Sequence, residues 1–498
     1  MTFYIPSTID FDAIEAFFPP TFKPYKRDKL AYLLHKIASL GATNKNIEIK
    51  DGYVPLYSPA MQNIVKNYRT YLEYAELAGI IQINDSYLNG KTSKSYRFVV
   101  DDKMSLVEYK VSDFTLMSSL NRYRKEQKKT VAKHEYLTKW FNKKLTIDYK
   151  KVEAFLDEEW LLKNNNEALW DYDASRKIFK SPYLQLHSAK LAAAFLVRGE
   201  YNLKIDANVH RFHSNLVNMR GLIRNAVTYD GQKLVSIDIK NSQPYFSTLL
   251  LRQAFWSGQK NSKNGVFSNF KVKSNKIDEP RTPSTGNISN NLINFNIIKD
   301  RISLSSIIML GETMESLMNK GLNEDKNRFI DLAVAGQLYE YLETQFKRKL
   351  GLTDVNRAMA KIAVLQAFFS DNRFIGTEDA KPKKCFRDLF PSVYKVYAAI
   401  KSKDKKMLAL LLQNIESYFI IDIIAKRIAK EYPDLPIFTI HDSIVTTVGN
   451  EELVARIMKE ELERGVGKAP SFKYEYWESK NIDTYLADLK VRAGILSA

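Results

Sequence analysis

Two aspartates stand in apolar, β-prone runs far apart in the chain. Leu234-Val235-Ser236-Ile237 leads into Asp238, and Pro436-Ile437-Phe438-Thr439-Ile440 leads through His441 to Asp442, after which Ser443-Ile444-Val445-Thr446-Thr447-Val448 resumes the β-branched pattern. A charge in an otherwise buried strand is costly unless it is paired or coordinates a metal. Brought side by side, two such carboxylates make a hard-oxygen site for divalent cations, leaving positions for water and phosphate oxygens. That is the arrangement for two-metal phosphoryl transfer, in which one ion activates the attacking oxygen and the other steadies the leaving group. Either aspartate alone would serve equally well as a strand cap or a partner for nearby backbone, so other motifs must decide.

Such carboxylates need a strand and a hairpin to carry them, and a basic group to meet a phosphate. The β-branched runs flanking His441-Asp442 suit a hairpin with the carboxylate at or near its turn. Between the two aspartates, Val355 to Phe369 reads as a helix. In it Arg357 and Lys361 are one turn apart and Phe369 is two turns further on, along one drifting face. Basic pairs at this spacing are also common on ordinary solvated helices. Downstream, Leu411-Leu412-Gln413-Asn414-Ile415-Glu416-Ser417 precedes a long helix, 451–463 reads as a helix, and 472–477 as a strand.

In their order, these segments resemble the palm of family A DNA polymerases and of the related phage-type single-subunit RNA polymerases, over roughly residues 205 to 485. The resemblance implies that Asp238, with the backbone carbonyl of Ile239, and the His441-Asp442 hairpin serve two Mg²⁺ ions, for which Mn²⁺ can substitute. It implies that Arg357 and Lys361 hold the triphosphate of an incoming nucleotide. Phe369 takes the place of the family's usual tyrosine beside the nascent base pair. Arg211 and Ser214 resemble the family's Arg-x-x-Ser stretch on the primer-template backbone, and Arg224 follows it. Gln413 resembles a glutamine touching the template-primer minor groove, and His441 is placed at the primer end.

Departures bear on the sugar. The family's Ser-Gln-Ile-Glu within motif A becomes Ser242-Gln243-Pro244-Tyr245, displaced by about two positions and lacking the glutamate, so Gln243 and Tyr245 are both candidates for the steric gate. His441-Asp442-Ser443 is like the RNA polymerases, whereas Phe369 lacks the hydroxyl with which an RNA polymerase's tyrosine senses a ribose. The bulk at Phe369 favours a DNA-directed DNA polymerase. A single-subunit RNA polymerase or primase is the alternative. A third reading, from another class, is a non-catalytic DNA-binding replication initiator or regulator.

The rest of the chain fits a nucleic-acid partner. Its 498 residues hold 75 Lys+Arg against 57 Asp+Glu, a formal charge of +18, which favours acidic partners. With 45% hydrophobic residues general disorder is excluded. A single cysteine, Cys385, and six histidines offer neither an internal disulfide nor a zinc cage. No signal peptide or long uninterrupted apolar stretch is recognised, so a cytoplasmic protein without a membrane partner, acting as a monomer, is expected.

Residues 25 to 80 read as helices ending at Gly79. Ile80–Ile83 and Tyr96–Val100 read as strands flanking an Asn89-Gly90 turn with Lys91, Lys94 and Arg97. Helices followed by a basic hairpin describe a winged helix, whose wing contacts phosphate. The run at 121–140, with Arg122, Arg124, Lys125, Lys128, Lys129 and Lys133 among aromatics, is either a solvated helix face or a nucleic-acid surface. Asp157-Glu158-Glu159 is reminiscent of a proofreading nuclease, yet lies in a helix with no second acidic motif nearby. The expected architecture is α+β: a winged-helix domain over 1–102, a helical, thumb-like connector over 103–204, and palm and fingers over 205–498, with a small antiparallel palm sheet and a flexible insertion at 257–297. A role in replicating a phage, plasmid or other mobile element suits so compact an enzyme.

Overall fold

The computed structural model describes residues 1–44, 47–86, 93–99, 105–173, 178–257, 301, 324–350 and 356–495. The Asn89-Gly90 turn, Lys91 and nearly all of the 257–297 insertion lie outside the described residues. Helices and antiparallel strands are mixed along the chain. They form two compact units: Met1–Lys204 with His213–Leu234 and Tyr476–Ala498, and Ile205–Phe212 with Val235–Glu475. The segments 1–102 and 103–204, read separately from the sequence, belong to the first unit together.

In the first unit, strand β1 (Thr2–Pro6) pairs antiparallel with the much later β5 (Leu106–Lys110), from Thr2↔Lys110 to Pro6↔Leu106. Between them run α1 (Arg27–Thr43), β2 (Val54–Pro55), α2 (Ser58–Ile64), α3 (Tyr68–Leu77), β3 (Ile81–Asn84) and β4 (Ser95–Phe98). The three strands pair in the order β2-β4-β3. Helix α1 buries Leu30, Leu33, Leu34 and Ile37, and α3 buries Tyr68, Tyr71, Leu72 and Ala75, each a stripe at helical spacing. Gly79, at φ +71°, stops α3 as expected. The amides of Gly79 and Ile80 bond back to the carbonyls of Glu76 and Ala75, each at 2.9 Å, the paired bonds of a Schellman ending that need a left-handed residue.

Helix α4 (Phe114–Val131) carries the basic run, and Arg122, Arg124, Lys125, Lys128 and Lys129 are all exposed. Helices α5 (Tyr149–Asn164) and α6 (Pro182–Val197), the antiparallel pair β6 (Leu145–Ile147) and β7 (Val227–Tyr229), and the C-terminal helix Lys480–Arg492 also belong to this unit. The acidic triplet on α5 is spent on ion pairs here. Asp157 meets Lys190 at 2.6 Å, Glu158 meets Lys490 at 2.5 Å, and buried Glu159 accepts from Arg220, Lys163 and the Tyr485 hydroxyl. Cations already engage these carboxylates, which gives them a structural role in place of nuclease chemistry.

The second unit is built on β8 (Gln232–Ile239), whose residues from Val235 on belong to it. A hairpin of β9 (Ile437–Ile440) and β10 (Ser443–Thr447) lies beside it, β10 next to β8, and β11 (Phe472–Tyr476) also pairs with β8. The helices are α7 (Ser242–Ser247), α8 (Glu324–Ala335), α9 (Leu338–Leu350), α10 (Arg357–Phe369), α11 (Lys381–Leu389), α12 (Pro391–Ile400), α13 (Met407–Ser417) and α14 (Glu451–Val466). Helix α13 continues unbroken through a π-helical stretch, Tyr418–Ala425, into Lys426–Glu431. The whole run Met407–Glu431 is long and apolar enough to cross a membrane, a length of apolar helix the sequence reading did not expect, but most of it is buried inside the protein.

Behind α10 lies an aromatic cluster in which Phe368 meets Tyr397 at 4.8 Å and Phe329 meets Phe390 at 5.4 Å, both edge to face. Two buried lysines hold the chain where α10 ends. Lys401 Nζ donates to the carbonyls of Ala367 (2.6 Å) and Ser370 (3.0 Å), and Lys383 Nζ to those of Asp371 (2.7 Å) and Phe374 (2.8 Å). Burial, reinforced by Lys383, pulls the Lys401 ammonium down to about 7. Replacing Lys401 by methionine leaves those carbonyls without their donor. At pH 8 the variant should lose about 2 kcal/mol of unfolding free energy in denaturant melts, with faster hydrogen exchange confined to the last turn of α10. Unchanged stability would show that the carbonyls are satisfied some other way.

Candidate active site

The β9–β10 register runs from Ile437↔Thr446 to Ile440↔Ser443, which leaves His441 and Asp442 as a two-residue turn. Such turns need positive φ, and His441 supplies it at φ +55°. Asp238 is next to last in β8. Leu234 to Ile237 before it and Ile239 after it are buried, as a central strand requires. Three residues on, Asn241 enters α7 in a left-handed conformation, φ 55°, ψ 41°. Each aspartate thus has a non-glycine residue in sparsely populated backbone close by, a kind of strain that collects at functional sites.

Both carboxylates are half-buried and both resist ionisation. Burial first, then the charge of Asp442, with Glu475 and Glu416 adding to it, pushes Asp238 up to about 7, against Lys473. Burial likewise raises Asp442. Its own backbone N–H, the Ser242 hydroxyl, Arg211 and Lys361 oppose the rise. Two acids this close cannot both ionise freely without a counter-charge.

A third carboxylate completes the group. Glu416, on α13, is 1% exposed and is raised to about 7 by burial, with Arg211 opposing and Asp442 adding. Its Oε1 accepts from Arg211 Nε at 2.9 Å and from Arg211 Nη2. Its Oε2 accepts from Gln243 Nε2 and, at 3.3 Å, from Ser242 Oγ. Sequence reasoning quoted Glu416 but gave the role to Gln413, which is only half-buried three residues earlier on the same helix. The available signal was an acid inside the mostly apolar 407–425 stretch, where Asp422 is the second.

The basic helix stands where it can meet a phosphate. On α10, Arg357, Lys361, Ile362 and Leu365 are exposed, whereas Ala360, Ala363, Val364, Ala367 and Phe368 are buried. Asn356 caps its start by accepting from the Met359 amide at 3.1 Å. Lys361 acts electrostatically on Asp442. Arg357 pairs with Glu340 at 3.0 Å and lies 5.1 Å over the Tyr339 ring. Tyr339 was not foreseen. It is 8% exposed, and burial raises its hydroxyl to about 12, with Arg357 opposing and Asp442 adding. Phe369 is half-buried at the end of α10, edge-on to Phe368 at 5.8 Å.

Other expected site residues fall elsewhere. Tyr245 points into the unit, fully buried, and its hydroxyl donates to the carbonyls of Lys468 (2.8 Å) and Leu462 (3.4 Å). A ring so enclosed is out of reach of a bound sugar, whereas Gln243 is half-buried beside Glu416. Arg211, expected on the primer-template, is instead engaged by Glu416. Ser214 and Arg224 belong to the first unit. There the Ser214 side chain is fully buried, and Arg224 donates to the Met219 carbonyl at 3.2 and 3.0 Å. Of the expected wing cations, Lys94 pairs with Asp85 at 2.5 Å, and Arg97 bonds Gln82 at 2.6 Å while lying 4.6 Å over the Tyr53 ring.

Among the described residues, no set of three or more His, Cys, Asp or Glu side chains could hold a metal ion. Glu416 has both oxygens committed, which leaves Asp238 and Asp442. Two half-exposed hard-oxygen donors that both resist ionisation fit Mg²⁺, an ion that binds through one or two carboxylates and keeps several waters.

No protein-family model matches the sequence, and no curated protein does. Among solved structures, the chain is similar to the POL domain of Pol1 from M. smegmatis in complex with DNA primer-template and dNTP. The alignment covers 74% of each chain, at 12% identity and a TM-score of 0.32. At that level of likeness it is the side chains of the site that speak to function.

Proposed function

We propose that this protein is a template-directed nucleotidyltransferase, a DNA-directed DNA polymerase with palm, fingers and thumb, that takes DNA primer-template and nucleoside triphosphates as substrates. One observation carries the reading: Asp238 on its strand and Asp442 in the hairpin turn both resist ionisation, the charge of Asp442 adding to the rise of Asp238, and Lys361, exposed with Arg357 on α10, acts on Asp442 as a cation suited to polyphosphate. Asp238 and Asp442 would hold two Mg²⁺ ions, which lower the pKa of a primer hydroxyl and offset charge on the departing pyrophosphate.

The chain's own groups supply the rest. Ser242 orients Asp442, and Lys361 places a point charge where negative charge develops. Arg357 exchanges its exposed Glu340 partner, worth under about 1 kcal/mol, for a phosphate oxygen. Phe369 remains the residue assigned to the nascent base pair, and His441 the one assigned to the primer end. A scaffold without catalysis has no use for two costly acids, one on β8 and one in the β9–β10 turn, which weighs against a purely DNA-binding initiator.

For the first unit, the order α1-β2-α2-α3-β3-β4 with the sheet order β2-β4-β3 supports the winged-helix reading. The exposed cations of α4 add to its attraction for DNA. A cytoplasmic monomer serving the replication of a phage, plasmid or other mobile element is the setting we propose.

The test is extension of a labelled primer annealed to a DNA template with Mg²⁺, run with deoxynucleotides, with ribonucleotides, and without primer. Stepwise extension by deoxynucleotides to the template end is expected. Extension by ribonucleotides alone would make the protein an RNA polymerase, synthesis without primer would make it a primase, and no product in any arm would overturn the reading.

A further inference from the structure

We propose that Glu416 is a positioning residue for nucleotide selection: through Gln243 and Ser242 it holds in one orientation the side chains that meet the sugar of the incoming nucleotide. The inference rests on the polymerase reading and extends it to sugar choice.

Glu416 lies in a buried, apolar helix, where an uncompensated carboxylate costs several kcal/mol. Four donors on two oxygens, from Arg211, Gln243 and Ser242, fill its accepting capacity. It therefore has no oxygen left for a metal or a substrate and acts through its partners.

Ser242 links it to the metal-binding side. A single hydroxyl proton faces two carboxylates, Glu416 at 3.3 Å and Asp442 within hydrogen-bonding reach.

Gln243 links Glu416 to the substrate side. It is half-buried on the first turn of α7, one residue from Ser242. Its Nε2 donates to Glu416, while its buried Oε1 has no partner among the described residues. Glu416 alone thus dictates which way the amide faces. A glutamine fixed in this way presents a constant shape to a sugar; one released from Glu416 can rotate and admit a second hydroxyl.

The experiment compares single-nucleotide insertion of dNTP and NTP by wild type, Glu416→Gln, Gln243→Ala and the double variant. Glu416→Gln keeps the volume and an oxygen for Arg211, and thermal melts check its fold. The ratio of kcat/KM for dNTP over NTP should fall about tenfold in each single variant and no further in the double variant, the mark of one coupled unit. Gln243→Ala leaves the Arg211–Glu416 pair intact and gives the same reading should Glu416→Gln fail to fold. Parallel losses for both nucleotides with an unchanged ratio, or additive effects in the double variant, would overturn the proposal and leave the polymerase reading standing. Binding of Mn²⁺ alone, followed by calorimetry, should stay within about twofold in Glu416→Gln; a loss beyond tenfold would make Glu416 a ligand and overturn the positioning role whatever the activity. No extension by wild type would instead remove the polymerase reading and this inference with it.

Discussion

Replacing Asp442 by alanine should lower primer extension by on the order of 10³-fold or more, and Asp238→Ala should do the same. The size follows from what the two side chains are asked to do. Removing one preorganised group that stabilises developing charge costs about 10² to 10³-fold, and each aspartate stands for half of a two-ion site. Folding should not share the loss. In the absence of metal, burial and neighbouring charge work against the ionised form of both carboxylates, so Asp238→Asn or Asp442→Asn relieves that opposition. Those variants should gain about 1–2 kcal/mol of stability, a figure discounted because both groups are only half-buried. A dead but more stable enzyme is what a strained functional site predicts. An active Asp442→Ala protein, or an Asn variant that is both inactive and less stable, would sink the metal assignment.

The parts of this site that could be read from the sequence are those whose chemistry conflicts with their surroundings. Asp238 and Asp442 are charges in β-branched runs, and the His441-Asp442 turn follows from two such runs separated by two residues. Helix α10 was legible from its 3.6-residue period, and Gly79 from the rule that a left-handed residue ends a helix. What stayed hidden depends on long-range partners. Which face of α7 Tyr245 occupies is set by α14 and the Lys468 backbone, far along the chain. That Arg211 meets Glu416 depends on a pairing across 205 positions. The β1–β5 ladder joins residues about a hundred positions apart, and neither strand has an alternation pattern that announces the other. Glu416 illustrates the general difficulty. An acid in a mostly apolar helix signals that something compensates it, but only the fold shows that the compensation for Glu416 is Arg211 with Gln243 and Ser242.

Divalent metal binding should weaken steeply as the medium is acidified, because the ion and the proton compete for the same two carboxylates. In the metal-free protein Asp238 is raised to about 7 and Asp442 is raised with it. Below pH 7 Asp238 therefore holds a proton that the ion must displace. Apparent Mg²⁺ affinity should fall close to tenfold per pH unit from pH 7 to 5.5 and level off above about 8. Calorimetry in two buffers of different ionisation enthalpy should count protons released at pH 6.5, and fewer for Asp238→Asn. Stability should show the same linkage with the sign of a raised acid. The folded state binds the proton more tightly than the unfolded chain, whose aspartates titrate near 3.9. This contribution is therefore full below that value and is lost as pH rises through about 7. In chelator the protein should gain stability on going from pH 8 to pH 5. In saturating Mg²⁺ the trend should flatten or reverse, because the bound ion supplies the counter-charge that the proton otherwise provides. A metal affinity indifferent to pH between 8 and 5.5 would mean that Asp238 and Asp442 do not share a cation, and the two-ion chemistry would have to be abandoned.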